Sequence, residues 1–94
     1  MTKFEWDETK NLANQAKHRI SFEEASLIFN GPVFSLEDTH HSEVRERSYG
    51  LLGGTVVLCV IHTDRNGVIR IISARKATKG ERKNFDVYLK KASN

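Results

Sequence analysis

The stretch Thr55-Val56-Val57-Leu58-Cys59-Val60-Ile61-His62-Thr63-Asp64-Arg65-Asn66-Gly67-Val68-Ile69-Arg70-Ile71-Ile72-Ser73-Ala74-Arg75-Lys76 decides the fold. From Thr55 to His62 it is almost continuously apolar, the pattern of a central strand covered on both faces. Asn66-Gly67 is a strong hairpin signal, because both residues accept the positive φ of a type I′ turn. Val68 to Lys76 reads as the next strand. Upstream, Arg45 to Leu52 alternates, with Arg45, Arg47, Tyr49 and Leu51 on one side. Gly53-Gly54 supplies the positive φ of a tight hairpin, and Gly50 reads as a further turn glycine. Val33 to Asp38 reads as one more strand, joined through the polar loop Thr39 to Glu43. Consecutive strands with tight turns give an approximately four-stranded antiparallel sheet.

Helices flank that sheet. Thr2 to Trp6 is a weak edge strand in which Phe4 and Trp6 alternate with charged residues. Asp7 caps a helix running to about His18, with Leu12 and Ala16 as a narrow buried stripe. Ser21-Phe22-Glu23-Glu24 is a capping box that opens a second helix. Its face of Phe22, Ala25, Ile28 and Phe29 has helical spacing, and Asn30-Gly31-Pro32 ends it, with Gly31 as a left-handed cap. Thr78-Lys79-Gly80-Glu81 is a second capping box, opening a helix to about Lys91 with Phe85 and Leu89 inward and Tyr88 beside them. Helices segregated at the chain ends around an antiparallel sheet make an α+β fold, and residues 1–94 read as one domain.

Composition sets the outer bounds. With 94 residues, the chain supports one modest core and no deep enclosed site. No apolar run approaches the ~20 residues of a membrane span, and the N-terminus lacks the apolar region of a signal peptide. The single cysteine cannot form an internal disulfide, so a cytoplasmic protein is the expectation. The net charge of +3 is unevenly spread. Residues 1–64 hold six Lys/Arg against ten Asp/Glu (−4), and residues 65–94 hold nine against two (+7). An acidic part beside a basic part suggests surfaces with different partners.

The basic part coincides with the strand Val68 to Lys76. One row holds Val68, Arg70, Ile72, Ala74 and Lys76, and the other Ile69, Ile71, Ser73 and Arg75. An arginine in an apolar strand is costly unless its head meets an anion or water. Arg70, Arg75 and Lys76 therefore look positioned. Arg45 and Arg47 lie one hairpin away, and Arg82 and Lys83 follow on the next helix. Together they form a basic sheet surface suited to a phosphodiester backbone. The competing reading is ion pairing with Glu43, Glu46 or Glu81. His40 and His41 beside Glu37, Asp38 and Glu43 lack any established metal spacing, so no metal and no cofactor are expected. His18 reads as a structural residue at a helix C-terminus. His62 is the imidazole nearest the basic strands, and Cys59 reads as a core thiol.

Phe4-Glu5-Trp6-Asp7, Lys10, Asn14, Lys17-His18, Ser21-Phe22-Glu23-Glu24-Ala25, Phe29, Glu46-Arg47, the run Arg70 to Thr78 and Glu81-Arg82 together resemble the BrnT family of toxins. The resemblance spans Phe4 to about Tyr88. It implies a RelE-like fold, ribonuclease activity that arrests translation, and neutralisation by a BrnA-like antitoxin. That antitoxin carries a ribbon-helix-helix domain, so DNA is met only through it. Two positions depart from the family pattern. Arg19 stands where the family has glycine, and Phe85 where a tyrosine is common. Tyr88 is the only phenol nearby to substitute, while Phe85 keeps a π-face for stacking on a base.

Metal-independent RNA cleavage is attack of a 2′-hydroxyl on the adjacent phosphate. Arginine cannot be the base, because its pKa exceeds ~12. Arg47, Arg70, Arg75 and Arg82 are therefore expected to clamp phosphate and stabilise charge, with His62 or Lys76 or water moving protons. Arg45, Arg65, Lys79, Lys83, Phe85 and Tyr88 complete the expected RNA-binding surface. The alternatives are a non-enzymatic RNA- or DNA-binding module, a catalytically weak toxin homologue acting through its antitoxin, and a pure interaction domain whose basic surface meets an acidic partner.

Overall fold

Five strands form one sheet in the order β1-β5-β4-β3-β2 in the computed structural model, which describes residues 2–39 and 42–93. The elements are β1 (Lys3–Glu5), α1 (Glu8–His18), α2 (Phe22–Ser26), β2 (Phe34–Asp38), β3 (Arg45–Leu52), β4 (Val56–Arg65), β5 (Val68–Lys76) and α3 (Lys79–Ala92). The α+β class and the antiparallel β2-to-β5 meander agree with expectation. The four-strand count does not. β1 joins as a fifth strand and runs parallel to β5, with Phe4 opposite Ile69, so the sheet is mixed. Without it the outer edge of β5 would expose unpaired backbone groups. His40 and His41 lie outside the described residues. No described helix is long and apolar enough to cross a membrane.

β1 covers only Val68 to Arg70, and α1 takes over the edge beyond it. The Asn14 amide donates to the Ala74 carbonyl at 2.9 Å and accepts from the Ala74 N–H at 3.2 Å. It also donates to the Ile20 carbonyl at 2.9 Å. Asn11 accepts from the Phe22 N–H at 2.8 Å and donates to Glu23 at 2.9 Å. The buried residues of α1 are thus Asn11 and Asn14, and the expected Leu12/Ala16 stripe faces solvent. The reason is that Asn14 serves the strand edge and Asn11 the first turn of α2, both of which have free backbone groups that need polar partners. Arg19 ends α1 with φ 60°. That left-handed conformation is comfortable for glycine and strained for arginine.

Both capping boxes form as expected, at Ser21/Glu24 and Thr78/Glu81. The second helix is shorter than expected, because α2 tightens into a 3-10 turn over Leu27–Asn30. Gly31 is extended (φ −128°), not left-handed. Gly50 lies inside β3 and is not a turn residue. A Cβ there would come within 2.8 Å of Ile28 Cβ, so its lack of a side chain lets the 3-10 turn press on the sheet. Gly53, Gly54 and Gly67 have the positive φ expected of hairpin turns, and Asn66 shares it.

Each sheet face has its own core. Phe22, Ala25 and Ile28 pack on Leu58, Val60, Ile69, Ile71 and Ala74. On the other face Phe85 of α3 packs on Tyr49, Val57 and Cys59. The two rows expected along β5 are re-sorted by a bulge. Ile61 pairs with Ser73 but His62 pairs with Ile71, which leaves Ile72 as the extra residue. The alternation slips there, so Arg70 and Arg75 fall on one face and Lys76 on the other.

Candidate functional site

Residues directly opposite across a sheet share a face. Asp38 pairs with Arg45 and Leu36 with Arg47. Arg47 pairs with Ile61, and Tyr49 with Cys59. Cys59 in turn pairs with Arg75, and Thr63 with Arg70. Arg45, Arg47, Arg70 and Arg75 therefore stand on one face, and Arg65 lines the same hollow as Arg45 and Arg70. The Phe85, Tyr88 and Leu89 side of α3 covers only the Tyr49–Val57–Cys59 end of this face. The end nearer the Asn66-Gly67 turn is left uncovered by the helix. There Lys10, Arg45, Arg65 and Arg70 surround a shallow hollow of about 140 Å³ with one acid, Glu43.

Part of the expected ion pairing is present. Glu43 Oε2 accepts from Arg65 Nη2 at 2.6 Å and Glu43 Oε1 lies 3.9 Å from Arg45 Nε. Glu5 lies 3.7 Å from Arg70, with both side chains about half exposed. Such surface pairs are worth ~0–1 kcal/mol, so a phosphate can displace the carboxylate cheaply. Glu46 takes no part, since it points to the opposite face. The Nε atoms of Arg45 and Arg47 are buried and have no hydrogen-bond acceptor among the described residues. A buried unsatisfied donor costs about 1–3 kcal/mol.

Arg75 is differently placed. Its guanidinium donates twice to Glu81, at 2.7 and 3.1 Å. Tyr49 Oη donates to the same carboxylate at 2.6 Å and accepts from Arg47 Nη1 at 3.3 Å. Arg75 beside it, with the Thr78 N–H, holds the Glu81 carboxyl far below the usual carboxylate range, while burial and the Glu81 acceptor push the Tyr49 phenol well up. Glu81 is thus a fixed anion and no proton acceptor. Arg75 ties the first turn of α3 to the sheet, and Tyr49 relays that bracket to Arg47.

The expected proton carriers stand elsewhere. His62 is 1% exposed on the face covered by α2 and the 3-10 turn. Its Nε2 lies 2.6 Å from Ser48 Oγ, and its ring meets Phe29 edge-on at 5.2 Å. Burial lowers its pKa below 6.5 despite Asp64 and Glu46 nearby, so the ring is neutral. Donor atoms of Glu46, His62 and Asp64 lie within 4.8 Å of one another, the one group among the described residues able to hold a metal ion, and it is away from the arginines. Lys76, opposite Leu58, also faces that side and is exposed.

Lys79, Arg82 and Lys83 are exposed on the first turns of α3. Phe85 is fully buried, so its ring presents no open face for the stacking expected of it. Tyr88 is half-buried, with its ring 5.3 Å from Phe34 and 6.0 Å from Phe85, in a mainly apolar groove with Leu36 and Val87. Reasoning from sequence gave no site role to Tyr49 or to Lys10, which it quoted only in the family pattern, and held Glu43 only as an ion-pair partner. Tyr49 was findable, being on the alternating row of Arg45 and Arg47. Lys10 was not, since only the docking of α1 on the sheet edge brings it there.

Comparison with known proteins adds an independent line. The family described as the ribonuclease toxin, BrnT, of type II toxin–antitoxin systems matches residues 6–81. Among solved structures, the ribonuclease toxin BrnT of Brucella abortus superposes with a TM-score of 0.64 at 23% identity, over 84% of this chain and 100% of that one. At this identity the likeness is one of fold. No curated protein matches the chain.

Proposed function

This chain belongs to the BrnT family of ribonuclease toxins of type II toxin–antitoxin systems, and we propose that it cleaves RNA on the open arginine face of its sheet. The observation that carries this reading is the set Arg45, Arg65 and Arg70 around one open hollow, with Arg47 on the same sheet face beside Glu37 and Asp38. A shallow, cationic, open face suits a polymeric anion better than a small molecule.

In this reading Arg45 and Arg65 align the backbone by exchanging Glu43 for phosphate. Arg47 and Arg70 hold the charge that grows on the phosphorane when the 2′-hydroxyl attacks and the P–O5′ bond breaks, giving a 2′,3′-cyclic phosphate and a 5′-hydroxyl. Arg75, through Glu81 and Tyr49, fixes where Arg47 points. Arg82, Lys79 and Lys83 add a steering field along α3. With His62 and Lys76 on the other face and Glu81 held ionised, water carries the protons and no metal is needed. Catalysis is then mostly alignment and charge stabilisation, and cleavage of mRNA arrests translation. The family implies an antitoxin partner, which we take to be a BrnA-like ribbon-helix-helix protein that covers the arginine face.

The test is Arg47→Ala and Arg70→Ala, each assayed for cleavage and for growth arrest relieved by the antitoxin. Cleavage is expected to fall on the order of 100-fold or more in each, with the fold intact. Undiminished cleavage in both would remove the assignment. The second reading, an RNA-binding module without cleavage, draws on the placement of His62 and Lys76 on the opposite face, which leaves Glu43, already paired with Arg65, as the acid of the hollow. It predicts salt-dependent RNA retention by the unaltered chain and no cut product.

A further inference from the structure

We propose that the RNA track does not end at the sheet but continues over the edge of β5 onto α1, where Lys10 and Lys17 form a second phosphate-binding subsite. This rests on the RNA reading above and extends it to residues outside the arginine face. The hollow at Arg45, Arg65 and Arg70 is adjoined by a second, shallow one of about 290 Å³. Lys10 and Ile72 line both, so the two are contiguous. The second hollow also takes Lys17 and His18 from the last turn of α1, and no acid lines it.

The local structure explains why this surface exists. Lys10, Asn14 and Lys17 follow the i, i+4, i+7 spacing of one helix face, with the lysines two turns apart, roughly 10 Å along the axis. Asn14 between them is bonded to both backbone groups of Ala74, which lays that face against the strand edge. The bulge at Ile72 lies at the seam, leaving an apolar side chain half-exposed between the two cationic hollows. Of the acids at the start of α1, Glu8 accepts from Trp6 Nε1 and Asn11 at 3.1 Å and Asp7 caps the helix at the Lys10 N–H, so the stretch of this face from Ala13 to His18 is the part that no acid lines. A phosphodiester running from Arg70 past Ile72 to Lys17 would displace Glu5 from Arg70 and then meet Lys10 and Lys17 in turn.

The test uses 2′-O-methyl oligoribonucleotides, whose blocked nucleophile prevents cleavage, in lengths of about 4 and about 16 nucleotides. The full chain is expected to bind the longer RNA more tightly. In the double variant Lys10→Ala/Lys17→Ala that advantage is expected to shrink about tenfold, with the salt slope for the long RNA reduced by about 1.4. Lys90→Ala/Lys91→Ala, at the far end of α3, controls for net charge alone and is expected to keep the length advantage. An unchanged slope and affinity in the Lys10/Lys17 variant, with Arg70→Ala still weakening both RNAs, would overturn the subsite and leave the arginine face standing. No loss with Arg70→Ala either would overturn both. If the Lys10/Lys17 variant lost affinity for the antitoxin and not for RNA, the surface would be a protein contact and the subsite would be refuted.

Discussion

On the helix-covered face of the sheet, β4 presents Leu58, Val60 and His62 to Phe22, Ile28 and Phe29. On the other face the same strand presents Ile61 and Thr63, opposite Arg47 and Arg70. Neighbours on one strand thus live in opposite environments. The imidazole is dry, neutral and bonded to Ser48, while the guanidinium groups are near water and lightly paired. The difference teaches that the histidine and lysine expected to trade protons and the groups able to bind phosphate are separated by the thickness of the sheet. A mechanism that needs His62 or Lys76 beside the arginines does not find them there; the titratable groups that line the arginine hollow are Glu43 and Lys10.

The comparison can be stressed by substitution. Phe85→Ala removes the side chain that fastens α3 to one end of the arginine face. It should destabilise the fold by about 3–5 kcal/mol in urea unfolding. Phe85→Leu should fold and still bind RNA, because the ring does not meet substrate. Lost RNA binding in a folded Phe85→Leu protein would restore the stacking role. Gly50→Ala acts on the covered face, forcing a Cβ against Ile28, and should cost about 1–3 kcal/mol. Normal stability would mean the 3-10 turn is not pressed on β3.

His62 makes the faces separable by pH. Burial depresses its folded pKa below the ordinary 6.5. The unfolded chain therefore binds more protons than the folded one as pH falls below about 6.5, and stability drops in that window. Above it, both states are neutral and the contribution is constant. His62→Gln should flatten the acidic side of the stability curve while leaving RNA affinity at neutral pH unchanged. A steeper curve in the variant would contradict the assignment. The smallest effect is expected at Arg19→Gly, where relief of the left-handed φ should raise stability by up to about 1 kcal/mol. A loss would show that the Arg19 side chain makes a stabilising contact.

Much of this was legible in the residues. Asn66-Gly67, Gly53-Gly54 and the apolar run through β4 set the meander, and two capping boxes set where α2 and α3 begin. The parallel pairing of β1 was not legible, because a three-residue strand carries too little pattern to fix its partner. Nor was the burial of Asn11 and Asn14, since hydrophobic periodicity cannot report a helix packed on a strand edge. The arginines of the site were named from the sequence, yet their arrangement turned on one bulged residue. Ile72 moves Arg75 to the side of Arg70 and sends Lys76 to the other, and period-2 alternation cannot foresee that. His62 was placed near the arginines by proximity in the chain, while its place in the Leu58, Val60, His62 row of β4 turned it away.

The most direct measurement compares RNA cleavage by two variants of matched thermal stability, Arg47→Ala/Arg70→Ala on the open face and His62→Gln/Lys76→Ala on the covered one. The account predicts that the first loses cleavage and the second retains it. Cleavage that survives loss of the arginines, or disappears with the histidine and lysine, would contradict it.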